Sequence, residues 1–342
     1  MGKASVMDSL TQIVLGAAVG EAVLGKKAGN RAVLWGAVAG TIPDLDVLVG
    51  KAMTTVDALL FHRGISHSIV FALFLSPLLG WGVCRIYKGQ QGNWKEWSLL
   101  FFLGLVTHAL LDCFTTWGTQ LFWPHPYRVS FKSIFVIDPL YTVPFLVCLV
   151  WLMFLDRTSP KRRTLNWAGI GISSFYLLLT LFNKYQVNQV FQASFQSQGL
   201  PVMRFETKPT PLNNILWSTN AEAAEGFYIG YYSFFDSNKQ VNYHYFPKNH
   251  QLLKPYLQHK AVQKLLFLTD GWYTVEPVQE GLLINDLRFG QTTGWQSGTG
   301  DFVFAYQLII ENGEVTEIKQ RENSVSEGRK MLGQFWNRIK GN

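Results

Sequence analysis

FHRGISHSIVFALFLSPLLGW, residues 61–81, places two histidines and an arginine directly before a long apolar run. The apolar segment around it, residues 65–87, is long enough to cross a bilayer, which takes about 20 apolar residues. Ionisable side chains beside such a helix are costly and mark functional sites by default. The stretch therefore predicts a membrane helix with a polar site at its mouth, which contains His62, Arg63 and His67.

The N-terminal half of the chain has the composition of a membrane protein. Only 15% of the 342 residues are charged, against about 25% in soluble domains, and the long apolar runs lie within residues 1–183. The apolar segments are residues 9–24, 32–50, 65–87, 97–116, 138–155 and 165–183. We predict about six transmembrane helices, of which the first two, short and rich in Gly and Ala, are either close-packed spans or a re-entrant pair.

The basic residues predict the orientation of these helices. Loops on one side hold ten Lys and Arg residues, and the loops on the other side hold four. The positive-inside rule assigns the richer side to the cytoplasm. We therefore expect a multi-pass membrane protein with everything after residue 183 outside the cytoplasm.

Residues 184–342 predict a separate soluble α+β domain rich in strands. FYIGYYSFFD (residues 227–236) and FVFAYQLIIENGEVTEI (residues 302–318) have strand composition, the second with an Asn-Gly turn. No basic stripe interleaved with aromatics indicates a nucleic-acid surface, although the net charge is +7. The three cysteines form no CxxC motif and are interpreted as core residues.

Polar residues in five segments are expected to meet at the outer end of their helices. His108 and Asp112 are four residues apart and so share one helix face. The remaining members are Asp8, Asp44, Asp46, His62, Arg63, His67 and Asp138. His and carboxylate side chains together are ligands for Zn²⁺ and similar ions. The five aspartates carry about −5, which Arg63 alone does not balance, so one or more divalent cations are predicted.

Each motif also has an ordinary structural interpretation when it is taken alone. An HxxxD pair on an apolar helix is most often structural, and Asp138 before Pro139 is typical of a helix N-cap. His62 and His67 could be solvated at the interface. Glu21 lies near the inner end of the first segment, where a helix-pairing role is the favoured interpretation. Only the convergence of all these residues on one face favours a shared metal site.

Five ordered motifs resemble those of the YdjM/YbcI-type inner-membrane proteins, which are described as membrane-bound metal-dependent hydrolases. The motifs are MDSLTQIVLGAAVGEAVLG, GTIPDLDVL, HRGISHS, THALLDCFTTWGTQLFWP and IDPLYT, spread over roughly residues 7–183. The family is similar, distantly, to zinc-dependent phospholipase C and P1-type nucleases, in which His and Asp bind a zinc cluster. Many relatives carry His where this chain has Gln12, so Gln12 either supports a ligand or marks a site with one metal fewer.

The resemblance implies metal ligands among Asp44, His62, His67, His108 and Asp112, and less directly Asp8, Asp46 and Asp138. We predict hydrolysis of a phosphoester on a lipid or lipid-linked substrate, with Arg63 pairing with phosphate and one of Asp44, Asp46 and Asp138 as general base. The alternatives are a metal or proton transporter using the same carboxylates, and a metal-stabilised scaffold without catalysis.

Overall fold

A computed structural model of the chain describes residues 4–298, 300–321 and 328–341, with the side chains of residues 4–9, 297 and 328–331 left out. The chain divides into two compact units. The first comprises the chain up to Ala52, Phe61–Phe182 and Pro211–Asn213, and the second comprises Met53–Leu60, Asn183–Thr210 and the chain from Asn214 onward.

Helices form the first unit, but α4 (Thr55–Phe61) falls almost wholly within the second unit, and the last helix of the series, α8, continues into the second unit. The helices are α1 (Ala4–Ala28), α2 (Asn30–Thr41), α3 (Asp46–Gly50), α4 (Thr55–Phe61), α5 (Ile69–Ile86), α6 (Trp94–Asp112), α7 (Pro139–Met153) and α8 (Pro160–Ser197). Two single turns of 3₁₀ helix, Pro43–Leu45 and Ile65–His67, precede α3 and α5.

Glycines bring α1 and α2 into close contact. A Cβ on Gly16 would lie 2.3 Å from the carbonyl oxygen of Gly36, and one on Gly40 would lie 2.3 Å from that of Gln12. Similarly, a Cβ on Gly104 of α6 would lie 2.6 Å from the Ala39 side chain. Small residues allow helix backbones to approach closely where lipid offers no hydrophobic driving force. This packing confirms the close approach that the Gly/Ala composition predicts.

The prediction of six membrane spans is not supported. Among the described residues, α5 and α8 are long and apolar enough to cross a membrane, and α2 with Pro43–Gly50 makes a third candidate that is bent by 43°. Helix α7 has 15 residues, so at 1.5 Å per residue it is shorter than a hydrocarbon core of about 30 Å. Helices α1 and α6 are longer, but they contain polar residues such as Gln12 and Asp112 that turn inward.

A buried ion pair joins α1 to α8. Arg162 Nε lies 2.8 Å from Glu21 Oε1, and its Nη2 lies 2.6 Å from Glu21 Oε2. The Arg162 side chain is 2% exposed, and its Nη1 donates to the carbonyls of Leu152 and Leu155. Glu21 therefore has the helix-pairing role expected from its position.

Replacing Glu21 with Gln is expected to destabilise the detergent-purified protein by about 3–5 kcal/mol, because it leaves a buried guanidinium without its counter-charge. Thermal unfolding followed by circular dichroism measures the loss. The double variant Glu21→Leu/Arg162→Met removes both charges and should recover most of the stability. Equal unfolding of the wild type and Glu21→Gln would show that the pair does not stabilise the fold.

The second unit contains two antiparallel four-stranded sheets, which confirms the prediction of a strand-rich C-terminal domain. The first sheet has the order β1-β2-β3-β4, and the second has the order β5-β6-β7-β8. The strands are β1 (Arg204–Pro209), β2 (Leu216–Glu222), β3 (Gly226–Ser233), β4 (Tyr243–Pro247), β5 (Tyr273–Val278), β6 (Gly281–Gln291), β7 (Phe302–Glu311) and β8 (Glu314–Gln320). Besides most of α4, the unit contains the helices α9 (Lys260–Thr269), α10 (Gly294–Ser297) and α11 (Gly328–Ile339).

Sequence patterns account for two details of this unit. Asn312 and Gly313, both at positive φ, form the hairpin turn between β7 and β8. The C-terminal end of α8 lays Val187, Phe191 and Phe195 against Trp217 and Tyr232 of the first sheet. The last turns of this helix are thus part of the hydrophobic core of the second unit.

Candidate metal centre

Four side chains from three separate segments meet in the first unit. Asp44 lies in the 3₁₀ turn after α2, His67 lies in the 3₁₀ turn before α5, and His108 and Asp112 lie on the last turns of α6. One ligand atom from each of the four falls within 4.8 Å of the other three. This four-residue group is the candidate metal centre.

The hydrogen bonds of the two histidines assign their tautomers. His108 Nδ1 lies 2.7 Å from the Gly40 carbonyl, to which it must donate. Ser66 Oγ donates to Asp46 Oδ2 and therefore accepts from His67 Nδ1 at 2.9 Å. Each Nε2 is thus left with a lone pair, and the two Nε2 atoms lie 3.1 Å apart. Two facing lone pairs repel each other unless a cation or a proton lies between them.

The carboxylates complete the same arrangement. His67 Nε2 lies 3.4 Å from Asp44 Oδ1 and 3.3 Å from Asp112 Oδ2. His108 Nε2 lies 3.5 Å and 3.4 Å from the same two oxygens. Tetrahedral Zn²⁺ with bonds of about 2.0–2.1 Å keeps its ligand atoms roughly 3.3–3.4 Å apart. These five separations, counting the one between the imidazoles, therefore fit a single divalent ion.

Surrounding residues orient Asp112. Gln12 Nε2 donates to Asp112 Oδ1 at 2.9 Å, which leaves Oδ2 for the centre. Arg63 Nε lies 3.2 Å from Oδ2, and Arg63 Nη1 donates to Thr115 Oγ1 at 2.8 Å. Partners that hold a ligand in place in this way raise metal affinity. Gln12 thus contacts a ligand of the centre through its amide nitrogen.

Asp46 organises the segment from His62 to His67. It accepts hydrogen bonds from the Arg63 amide at 3.0 Å and from Ser66 Oγ at 2.8 Å, and it pairs with His62 Nδ1 at 2.9 Å. Arg63 has a φ of 57°, a left-handed conformation that is uncommon for a residue other than glycine. The hydrogen bond from the Arg63 amide to the Asp46 carboxylate stabilises this conformation. Asp46 is connected to the centre through Ser66 and His67, and it is not a member of the four-residue group.

The centre is accessible from one side. The side chains of His67, His108 and Asp112 are at most 1% exposed, whereas Asp44 is 17% and His62 is 23% exposed. His62 lies between α4 and α5, where burial lowers its pKa and the Asp46 hydrogen bond opposes this shift. The more exposed side of the centre is therefore the side with Asp44 and His62.

Of the predicted metal ligands, the structure brings four together. His62 stands beside the group, with its ring centroid 6.1 Å from that of His67. The side chain of Asp8 lies outside the described residues. Asp138 caps α7 by accepting from the Leu140 amide at 2.9 Å, and its other oxygen accepts from Tyr176 at 2.8 Å. Its position is the helix N-cap that the Asp-Pro sequence also allowed.

Three partners of the site are not evident from the sequence. Ser66 connects Asp46 to His67, Thr115 holds Arg63, and the Gly40 carbonyl fixes the tautomer of His108. Ser66 could have been found from its place beside His67. A backbone carbonyl offers no signal in the sequence, and Gly40 reaches the site because α2 packs closely between α1 and α6.

The comparison with known proteins identifies the class as inner membrane proteins. The profile of the YdjM inner membrane protein family matches residues 7–187, and the chain belongs to that family. It is 26% identical to the uncharacterized protein YfhP of Bacillus subtilis (strain 168) over 236 residues, 66% of this chain and 68% of the relative. It is 36% identical to the inner membrane protein YbcI of Escherichia coli (strain K12) over 92 residues, 27% of this chain and about half (51%) of that relative. No solved structure matches the chain.

Proposed function

We propose that this membrane protein is a metal-dependent hydrolase that cleaves a phosphoester of a lipid or lipid-linked substrate at the outer face of the inner membrane. The observation that carries the proposal is the meeting of two imidazole Nε2 lone pairs and two carboxylate oxygens at spacings of 3.1–3.5 Å. Asp44, His67, His108 and Asp112 would hold one divalent ion, with Zn²⁺ favoured by this donor set.

A bound divalent ion would supply Lewis-acid polarisation of a phosphoryl oxygen and a water of lowered pKa. The chain's own residues then have separate tasks. Gln12 and Arg63 hold Asp112 in place, and Ser66 and Gly40 fix the two imidazoles in the tautomers that coordinate. Such positioning would make the centre rigid before substrate arrives.

His62 is the residue best placed to handle a proton beside the centre. It is the more exposed member of the pair with Asp46, and its Nδ1 is engaged by that carboxylate. This leaves Nε2 directed away from Asp46, in the arrangement of an oriented acid–base imidazole. We assign the proton-transfer role to His62 in preference to Asp46 or Asp138, whose oxygens accept hydrogen bonds within the fold.

The orientation of the protein is part of the proposal. Both supported spans carry basic residues at one end, Arg85 and Lys88 at the end of α5 and Arg157 and Lys161 at the start of α8. This supports placing those ends in the cytoplasm, with the centre in the outer half of the membrane and residues 184–342 outside the cytoplasm. A phospholipid head group would then lie at the same depth as the centre.

The ion pair that Glu21 forms favours the hydrolase over a proton or metal transporter. A transporter needs polar groups that continue toward the inner face, and Glu21 is the carboxylate of α1 on that side. It forms a buried ion pair with Arg162 through both oxygens. A carboxylate held in this way is a poor relay, because each transfer would break the pair.

The proposal is tested with purified, zinc-loaded protein in mixed micelles that contain defined phospholipids. We expect release of phosphate or head group that a chelator abolishes, and a loss of at least about 100-fold in Asp44→Asn, since that change removes an anionic ligand at the accessible side. Ser76→Ala, far along α5, is the matched control. Metal bound at one ion per chain without hydrolysis of any phospholipid would overturn the enzyme assignment, and zinc flux into proteoliposomes would favour the transporter.

A further inference from the structure

An open cavity of about 470 Å³ lies at the opposite, basic end of the first unit. It is bounded by α1, by the segment before α8 and by the first turns of α8. The side chains that matter for its chemistry are Lys26, Arg157, Ser159, Arg163, Asn166 and Trp167. None of these residues belongs to the candidate metal centre or to its supporting hydrogen bonds.

The cavity carries an excess of positive charge. Lys26, Arg157 and Arg163 line it, and none of the three forms an ion pair within the described ranges 4–298, 300–321 and 328–341. The carboxylate of Glu21, which also lines the cavity, is neutralised by Arg162. The lining therefore has a net charge of about +3, and the positive end of the α8 dipole adds to it at Pro160.

A residue that lines the same cavity, Asn166, carries a buried acceptor. Asn166 is 2% exposed and donates through Nδ2 to the Ala18 carbonyl at 3.0 Å. Its Oδ1 is buried and accepts no hydrogen bond from any part of the chain that the structure describes. A buried acceptor without a donor costs about 1–3 kcal/mol. A ligand that carries a hydroxyl group beside its negative charge would satisfy it.

We propose that this cavity binds the phosphate of an anionic phospholipid head group that also bears a hydroxyl. Two arginines and a lysine match the phosphate oxygens, and Asn166 Oδ1 matches the hydroxyl. The outer surface of α8 supports the lipid source, because Trp167 (53% exposed) stands at the cavity and Phe175 and Leu178 follow it along the helix as exposed apolar residues. Basic pockets on the cytoplasmic side of membrane helices suit such head groups.

Native mass spectrometry of the full chain, released from detergent with added phosphatidylglycerol or phosphatidylcholine, tests the site. We expect the wild type to retain phosphatidylglycerol in preference to phosphatidylcholine. Arg157→Gln and Arg163→Gln should each weaken retention about 10-fold, as loss of one charge-assisted contact predicts. The matched control is Lys161→Gln, which removes one charge from the same helix end but does not line the cavity.

A second arm replaces the lipid with millimolar inorganic phosphate. Phosphate that fails to displace phosphatidylglycerol supports the lipid head group as the ligand. If phosphate binds by itself, and binds less to Arg163→Gln than to Lys161→Gln, the cavity is a phosphate site and the proposal of a lipid ligand is overturned. Equal retention of phosphatidylglycerol by all three variants would overturn the proposal, because the attraction would then be a general effect of basic charge near the membrane surface.

Discussion

His108→Ala is expected to lower the zinc affinity of the purified protein by more than about 100-fold. Loss of a partner behind a ligand already costs about 10- to 100-fold, and His108 supplies one of the four ligand atoms directly. Its Nδ1 donates to the Gly40 carbonyl, which leaves Nε2 as the ligand atom. Alanine removes that atom. Metal analysis after dialysis against a zinc buffer measures the change.

Two further variants make this result specific. Gln12→Leu removes the hydrogen bond to Asp112 Oδ1 and should give an intermediate loss of about 10- to 100-fold. His125→Ala changes an exposed histidine and should leave affinity unchanged. Insertion into the membrane should persist in all three proteins. Full zinc occupancy in correctly inserted His108→Ala would remove His108 from the ligand set.

Arg63→Lys is expected to lower hydrolysis by roughly 10- to 1000-fold while zinc stays bound. Arg63 is 3% exposed and contacts both Asp112 Oδ2 and Thr115 Oγ1. Lysine keeps the charge but lacks the planar fork that can serve a carboxylate, a hydroxyl and a phosphate together. Loss of one such contact of about 1.5–4 kcal/mol in the transition state gives this range. Steady-state rates on the phospholipid identified in the micelle assay measure it.

The control for this variant is Arg85→Lys, on the exposed surface of α5, which should retain full activity. Thr115→Val tests the same contact from the other side, because it removes the Thr115 Oγ1 acceptor of Arg63 Nη1 without altering charge. In a transporter, where Arg63 only supplies positive charge near the carboxylates, lysine should substitute with little effect. Unchanged turnover by Arg63→Lys with zinc still bound would refute the phosphate-pairing role.

The sequence alone predicted the features that depend on residue type and on short-range spacing. Costly polar residues at the ends of apolar segments predicted a shared site, and the four-residue spacing of His108 and Asp112 predicted that they share a face. The strand composition and the Asn-Gly turn after residue 183 predicted strands, which two antiparallel sheets confirm. These signals depend on residues that are close in the sequence, so they can be recognised without knowledge of the tertiary packing.

The number of membrane spans could not be predicted in the same way. Hydropathy treats each apolar segment as a straight span surrounded by lipid. In the structure, α2 and the Pro43–Gly50 segment meet at an angle of 43°, and α7 ends after 15 residues. The bend is what brings Asp44 to the centre. A break in a membrane helix is tolerated where neighbouring protein satisfies the freed backbone, and that condition depends on tertiary contacts.

The sequence by itself therefore determined the family motifs, the kinds of ligand and the strand-rich second unit. Only the tertiary structure decided which carboxylates face the centre. Asp44 and Asp46 are two residues apart and chemically identical, yet Asp44 lies 3.4 Å from His67 Nε2, while Asp46 bonds His62 Nδ1 and Ser66 Oγ. The reason is geometric, because a ligand set is defined by directions in space. Those directions follow from the close glycine contacts of α1 with α2 and of α2 with α6.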